Sequence, residues 1–191
     1  MKLTRLTALF ICVLLNKMLI AQYSLKKTDT LRFKSIGSPR DTLYQIRQKI
    51  KGNIYKQVTY YGLSDNSNIS TATDTFIISK TGWKKLYNND TLPFLSVKEF
   101  AANRKVNEYL SAESKEAFYY EYEPVKKINI QKKELYLYRV KPMSGKGIVE
   151  GLGDDVRYVI FDFSIGEIYR SSYQIKKVLA GYEKYVPYFK W

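Results

Sequence analysis

Asp41-Thr42-Leu43-Tyr44-Gln45-Ile46-Arg47-Gln48-Lys49-Ile50-Lys51-Gly52 is the stretch on which the fold class turns. Leu43, Ile46 and Ile50 recur at the three-to-four-residue spacing that places one apolar stripe on a helix. Asp41 or Thr42 can cap the first turn by accepting a backbone N–H, and Gly52 can stop the helix after Lys51. The spacing therefore predicts a short amphipathic helix. A second signature, Ser96-Val97-Lys98-Glu99, combines a serine hydroxyl that accepts from the amide one turn on with a glutamate that reaches back. With Phe100, Val106, Tyr109 and Leu110 behind it, the pattern predicts a helix of about 14 residues.

Elsewhere the chain is rich in branched and aromatic residues in short runs. Residues 31–36, 54–61, 73–79 and 83–87 read as strands, with a turn at Lys80-Thr81-Gly82. Residues 117–123, 125–130, 134–141, 156–163 and 167–173 make a strand-rich second half. Gln131-Lys132-Lys133 and Ser164-Ile165-Gly166 are short enough to be hairpin turns, which implies antiparallel neighbours. One further helical turn is expected at 175–180. The chain holds 18 Tyr, nine Phe and two Trp, a composition that suits half-buried pleated surfaces. The resulting expectation is an α+β fold: a large antiparallel sheet of about seven to eight strands in meander or hairpin order with two main helices, forming one domain over residues 22–191.

The N-terminus reads as a secretory signal. Lys2 and Arg5 precede a mostly apolar run over residues 6–15, and Leu19-Ile20-Ala21 sets a small residue before Gln22. Cleavage near Ala21/Gln22 would leave 170 residues and place them in the periplasm or outside the cell. Asn16 and Lys17 interrupt the run before it reaches the roughly 20 apolar residues of a spanning helix, so an integral membrane protein is not expected. The single cysteine, Cys12, leaves with the leader and the chain has no histidine. Thiol and imidazole nucleophiles, zinc sites and haem sites thus lose their usual ligands, and neither cofactor nor metal is expected. Ser79-Lys80, Ser114-Lys115 and Ser144-Gly145-Lys146 do not have the spacing of a serine–lysine pair.

Removing Lys2, Arg5 and Lys17 leaves 29 basic against 18 acidic residues, a net charge of about +11. Such a field draws a protein toward anionic surfaces. Basic and aromatic residues interleave at Lys126, Lys127, Lys132 and Lys133 and then at Tyr136, Tyr138, Arg139 and Lys141. As an exposed strand face this stripe would bind an anionic envelope component, a lipid headgroup or acidic glycan, or a protein partner, with the tyrosines as stacking surfaces; nucleic acid is not expected. The competing view makes the tyrosines core and the lysines protection of a sheet edge.

Two other functional classes are compatible with the sequence. Glu150, Asp154, Asp155 and Asp162 lie in or after a glycine-rich stretch over 144–155, and two converging carboxylates there would suit an acid–base hydrolase. A carrier of small apolar ligands would instead require a closed aromatic-lined cavity with few charges. The tail from Tyr182 to Trp191 resembles the last strand of bacterial outer-membrane barrels in its alternating aromatics. That match covers the tail alone, Pro187 interrupts it, and two helices would use chain a small barrel needs, so an open sheet covered by the tail is expected.

Overall fold

The computed structural model describes residues 28–36, 41–63, 69–87, 90–109, 119–130, 132–144, 147–148, 157–171 and 176–189. The expected leader and its cleavage point lie outside them. The described chain is almost entirely sheet, which corrects the α+β expectation. Its strands are β1 (Thr28–Ile36), β2 (Asp41–Lys51), β3 (Ile54–Leu63), β4 (Ile69–Ser79), β5 (Gly82–Tyr87), β6 (Asp90–Ser96), β7 (Val106–Tyr109), β8 (Tyr119–Ile130), β9 (Lys133–Ser144), β10 (Gly147–Ile148), β11 (Arg157–Asp162), β12 (Gly166–Ser171) and β13 (Lys176–Leu179). A five-residue helix, α1 (Val97–Ala101), precedes β7, and a 3-10 helix (Glu183–Tyr188) ends the described chain. Among the described residues no helix is long and apolar enough to cross a membrane.

The helix expected over 41–51 is β2. Leu43, Gln45 and Arg47 are buried, while Tyr44 and Ile46 between them are only partly so and Ile50 is exposed. The period of two is present, but Leu43 shares the buried face with polar Gln45 and Arg47 while Ile46 and Ile50 lie on the outer face, so a search for an apolar stripe finds the wrong period. Hydrogen bonding to strands on both sides settles the conformation: β2 is in register with β1 from Leu43↔Phe33 to Gln48↔Thr28, and with β3 from Asp41↔Leu63 to Lys49↔Tyr55. The second helix is shorter than expected. Ser96 does cap it, its Oγ accepting from Glu99 N at 3.1 Å, but Asn103 adopts a left-handed φ of 52° and the chain leaves as β7, paired with β8. The segment expected as a helical turn at 175–180 contributes β13 instead, paired with β1 and β12.

All thirteen strands belong to one sheet with twelve on a single path, β6-β5-β4-β3-β2-β1-β13-β12-β11-β9-β8-β7, while β10 pairs with β9. Every pairing is antiparallel. The first strand pairs with the last, and neighbours in sequence pair in meander order except at β6 and β7, where α1 makes the connection, and at β10 and β11, where β11 pairs with β9 instead. This is an up-and-down barrel left unzipped at one seam. Side chains span that seam: Lys85 of β5 lies 3.2 Å from Glu108 of β7, and the Phe94 ring of β6 meets the Tyr122 ring of β8 edge-on at 5.5 Å. Near-closure removes most of the unpaired edge that so wide a sheet would otherwise expose.

Two apolar clusters hold the sheet together. One gathers Phe33, Leu43, Leu135, Leu137 and Ile160 and carries Tyr182, Tyr185 and Phe189 of the C-terminal segment. That segment is a 3-10 helix containing Pro187, not a barrel strand. The other gathers Phe76, Trp83, Phe94, Tyr136, Tyr138 and Phe161. Alternate residues of β9 enter the two clusters, which makes it a strand buried on both faces.

A polar tie crosses the interior. Arg47, 1% exposed, donates from Nε and Nη2 to Gln57 Oε1 at 3.1 and 2.6 Å and from Nη1 to the Ile165 carbonyl, and its guanidinium sits 4.7 Å from the Trp83 ring centre. Trp83 Nε1 in turn donates to the Phe163 carbonyl at 2.9 Å. The β11–β12 turn is thereby fastened to β2, β3 and β5. Gly166 makes this approach close: its φ is +110°, and a Cβ there would fall 2.7 Å from the Trp83 ring and 3.0 Å from Arg47 Nη2. Gly166→Ala should cost about 3 kcal/mol of stability in urea unfolding, combining backbone strain with overpacking. Gly52→Ala should cost only about 1 kcal/mol, because at φ +55° its Cβ would meet nothing within 4 Å. Equal losses at the two positions would contradict the tie.

Candidate functional site: a polar chamber inside the sheet

Cross-strand register builds the chamber. On one wall Gln45, Thr59 and Ala72 align across β2, β3 and β4, and Arg47, Gln57 and Asp74 form the next row. On the other, Tyr122, Val140 and Arg157 align across β8, β9 and β11, while Val159 is opposite Arg170 and Phe161 opposite Glu167 on β12. Directly opposite residues share a face, so all of these look inward together. They enclose a cavity of about 420 Å³, to which Phe76, Trp83 and Phe94 add an aromatic floor. Its charged lining comprises Arg47, Arg157, Arg170 and Lys85 against Asp74, Glu108 and Glu167.

These charges are arranged in partnerships. Lys85 Nζ lies 2.7 Å from Asp74 and 3.2 Å from Glu108, whose other carboxylate oxygen accepts from the Tyr122 hydroxyl at 2.8 Å. Burial alone would lower the pKa of Lys85, but the two carboxylates outweigh it and hold the ammonium above its ordinary value. Tyr122 moves far upward, chiefly through burial and then through the negative charge of Glu108. Arg170 grips Glu167 with two parallel bonds, Nε to Oε1 at 2.8 Å and Nη2 to Oε2 at 2.7 Å. The Arg157 guanidinium lies 5.3 Å from the Tyr120 ring centre. Arg47 is lowered to about 10, mainly by burial and against the charges of Asp29 and Tyr55, and so stays cationic at neutral pH.

The residues singled out from the sequence occupy different surroundings. Tyr136 and Tyr138 are 4% and 1% exposed and pack edge-on against Phe100 at 5.0 and 5.2 Å. Their rings offer no open face for stacking. Tyr136 donates to Glu134 at 2.9 Å, while the Tyr138 hydroxyl finds no partner among the described residues. Arg139 is bound to Glu123 through Nε at 2.9 Å and Nη2 at 2.5 Å, and Lys141 lies 3.6 Å from the same carboxylate. Lys127 pairs with Glu134 at 2.5 Å, and Lys133 reaches Asp162 at 3.3 Å and Tyr182 Oη at 2.7 Å. Lys126 and Lys132 are exposed. The basic stripe is therefore shared between two sheet faces and largely paired.

Asp162, 6% exposed, accepts from Ser164 N at 2.9 Å and from the Tyr182 hydroxyl at 3.1 Å, besides Lys133; it closes the β11–β12 turn and ties it to the tail. Glu150, Asp154 and Asp155 lie outside the described residues. Of the chamber's charged residues, Glu167 stands beside the acidic group considered for a hydrolase, while Arg47, Asp74, Lys85, Glu108, Arg157 and Arg170 were not picked out from the sequence. For Arg47 alone a signal was present: Gln45 and Arg47, then Gln57 and Thr59, put polar side chains two apart within strands whose intervening positions are Ile46 and Val58. Comparison with protein-family models, curated proteins and solved structures found no match, so geometry alone carries the functional reading.

The tyrosine-lined interior sets an alkaline limit. Burial raises Tyr122, Tyr138 and Tyr169, and raises Tyr136 to about 12. Above pH 10 the unfolded chain releases these phenolic protons while the fold retains them, so stability falls as pH rises, by about 1.4 kcal/mol per pH unit for each phenol. Arg47, lowered to about 10, acts in the opposite sense but is one group against four. Urea midpoints should drop steeply from pH 9 through pH 11; a flat profile would contradict the buried phenols.

Proposed function

We propose that the chain is an exported, non-catalytic binding protein whose ligand is a small molecule held in the chamber. The observation that supports this reading is the 420 Å³ cavity, whose lining joins an aromatic floor to seven charged side chains. Ligand sites are commonly concave spaces of roughly 300–1,000 Å³ with mainly apolar walls and a few placed polar groups. Here the charge content is higher than an apolar-ligand carrier requires, which favours a ligand with both polar and apolar parts. A soluble fragment of the envelope, such as a headgroup or a sugar acid, meets that description. The export part of the proposal draws on the N-terminal pattern of charged, apolar and small residues.

Docking on the lysines of β8 and β9 is the rival arrangement, and it makes a different prediction. Native mass spectrometry of the mature protein purified from its own envelope should show a small-molecule adduct. Ala72→Trp, which fills the cavity from an exposed rim position, should abolish the adduct, whereas Lys126→Glu with Lys127→Glu should keep it. Protein free of adduct, or an adduct that survives Ala72→Trp and is lost on lysine reversal, would overturn the proposal.

A further inference from the structure

We infer that the floor end of the barrel docks on an anionic bilayer surface, with Ile50 entering the headgroup layer among lysines left without an ion pair. Antiparallel pairing puts successive connections at opposite ends of a sheet. The β2–β3, β4–β5 and β8–β9 turns and the α1 connection from β6 to β7 therefore share one end. It is the floor end, because Phe76 and Phe94 stand near the ends of β4 and β6 and Trp83 at the start of β5. Neighbouring hairpin tips are two strands, about 10 Å, apart. That is close to the Debye length in physiological salt, so their charges act together.

On the tips, or in the opening residues of the strands that leave them, stand Lys51, Lys56, Lys80, Lys84, Lys98 and Lys132, all exposed. Among the described residues none of these lysines enters an ion pair. The acidic groups of this end are answered already: Glu99 meets Arg104 at 3.6 Å, Glu134 meets Lys127 at 2.5 Å, Asp162 meets Lys133 at 3.3 Å and Glu183 meets Lys34 at 2.6 Å. Asp29 stands opposite the buried Arg47. The surplus on this end is thus positive. Ile50, 59% exposed, is set within it by a β-bulge: Lys49 pairs with Tyr55 and Lys51 with Ile54, which leaves Ile50 as the extra residue. Basic side chains around an exposed apolar one are what an anionic lipid surface attracts and holds. A single nucleic-acid strand would need open aromatic faces, and Trp83 and Phe94 at this end are buried. Docked so, the molecule presents its other end to solvent, and Ala72 of the chamber rim, near the start of β4, lies toward it.

Vesicle co-sedimentation tests the assignment with the protein purified as the cell processes it. The vesicles are phosphatidylcholine, alone or mixed with phosphatidylglycerol, and soluble heparin serves as a second polyanion. Binding should require phosphatidylglycerol and fall about tenfold or more at high salt. Lys51→Gln and Lys80→Gln should each weaken it about fivefold. Ile50→Ser should weaken it by a similar factor while leaving any heparin affinity as it was. Lys176→Gln, on an exposed lysine at the start of β13 and so at the opposite end, should change it less than about twofold. All four positions are exposed, so the urea midpoints of these variants should match that of the parent. Vesicle binding that ignores phosphatidylglycerol or salt, an equal loss from Lys176→Gln, or heparin binding without vesicle binding would overturn the inference. Absence of any binding would do the same. None of these outcomes bears on the chamber, which is read by the small-molecule adduct.

Discussion

A guanidinium in the interior is the constraint around which this molecule is arranged. Arg47 is 1% exposed and remains charged at neutral pH, so its lost hydration must be replaced by the protein. Gln57, the Ile165 carbonyl and the Trp83 ring supply that replacement, and they come from β3, the β11–β12 turn and β5. Meeting the needs of one side chain thus brings together strands far apart along the sheet path. Without Arg47, the two meanders would still share the β1–β13 ladder and the side chains across the β6–β7 seam. The tie makes the enclosed space a chamber with fixed walls.

A polar interior has consequences for everything that borders it. The apolar material that usually fills a small barrel is displaced, partly onto the outer wall, where Tyr44 and Tyr60 stack at 4.4 Å, and partly into the two clusters at the sides. Inside, each charge is placed beside an opposite charge, a carbonyl or a ring, which is what low-dielectric surroundings demand. The seam follows the same logic. Lys85 has Asp74 of the neighbouring strand β4 on one side and Glu108 of β7 on the other, so a partly buried ion triplet links strands across the seam where backbone hydrogen bonds join the remaining strands.

Much of the sheet was legible from turn chemistry. The hairpin expected at 131–133 joins Ile130 to Lys133 with Lys132 at φ 68°, the Ser164-Ile165-Gly166 turn is present with Gly166 at φ 110°, and Ser96 caps a helix as its sequence suggests. These signals are local, and local physics decides them. The segments misread were those where tertiary contacts set the outcome. Residues 41–51 carry an apolar stripe at helical spacing because Gln45 and Arg47 join Leu43 on the buried face and Ile46 and Ile50 fall on the outer one; residues 90–96, for which the sequence offered no element, carry Pro93 yet form β6 at the edge of the path, where a missing N–H is tolerated. The chamber itself was not legible. Its charged residues are drawn from six strands, and each seen singly in sequence looks like an ordinary solvated charge. Their inward direction follows from register, which depends on pairings between distant segments. Conversely, the conspicuous Lys and Tyr stripe of β8 and β9 divided between two faces once both sides of β9 were buried.

Site-specific thiol labelling along β2 tests the inverted alternation most directly, because the chain from Gln22 onward has no cysteine of its own. Single cysteines at positions 43, 44, 45, 46, 48 and 50 would be reacted with a bulky maleimide under native conditions. Slow reaction at 43 and 45 with fast reaction at 44, 46, 48 and 50 is the predicted result. Protection shared by 43, 46 and 50, with 44, 45 and 48 open, is the signature of an amphipathic helix and would contradict a polar chamber walled by β2.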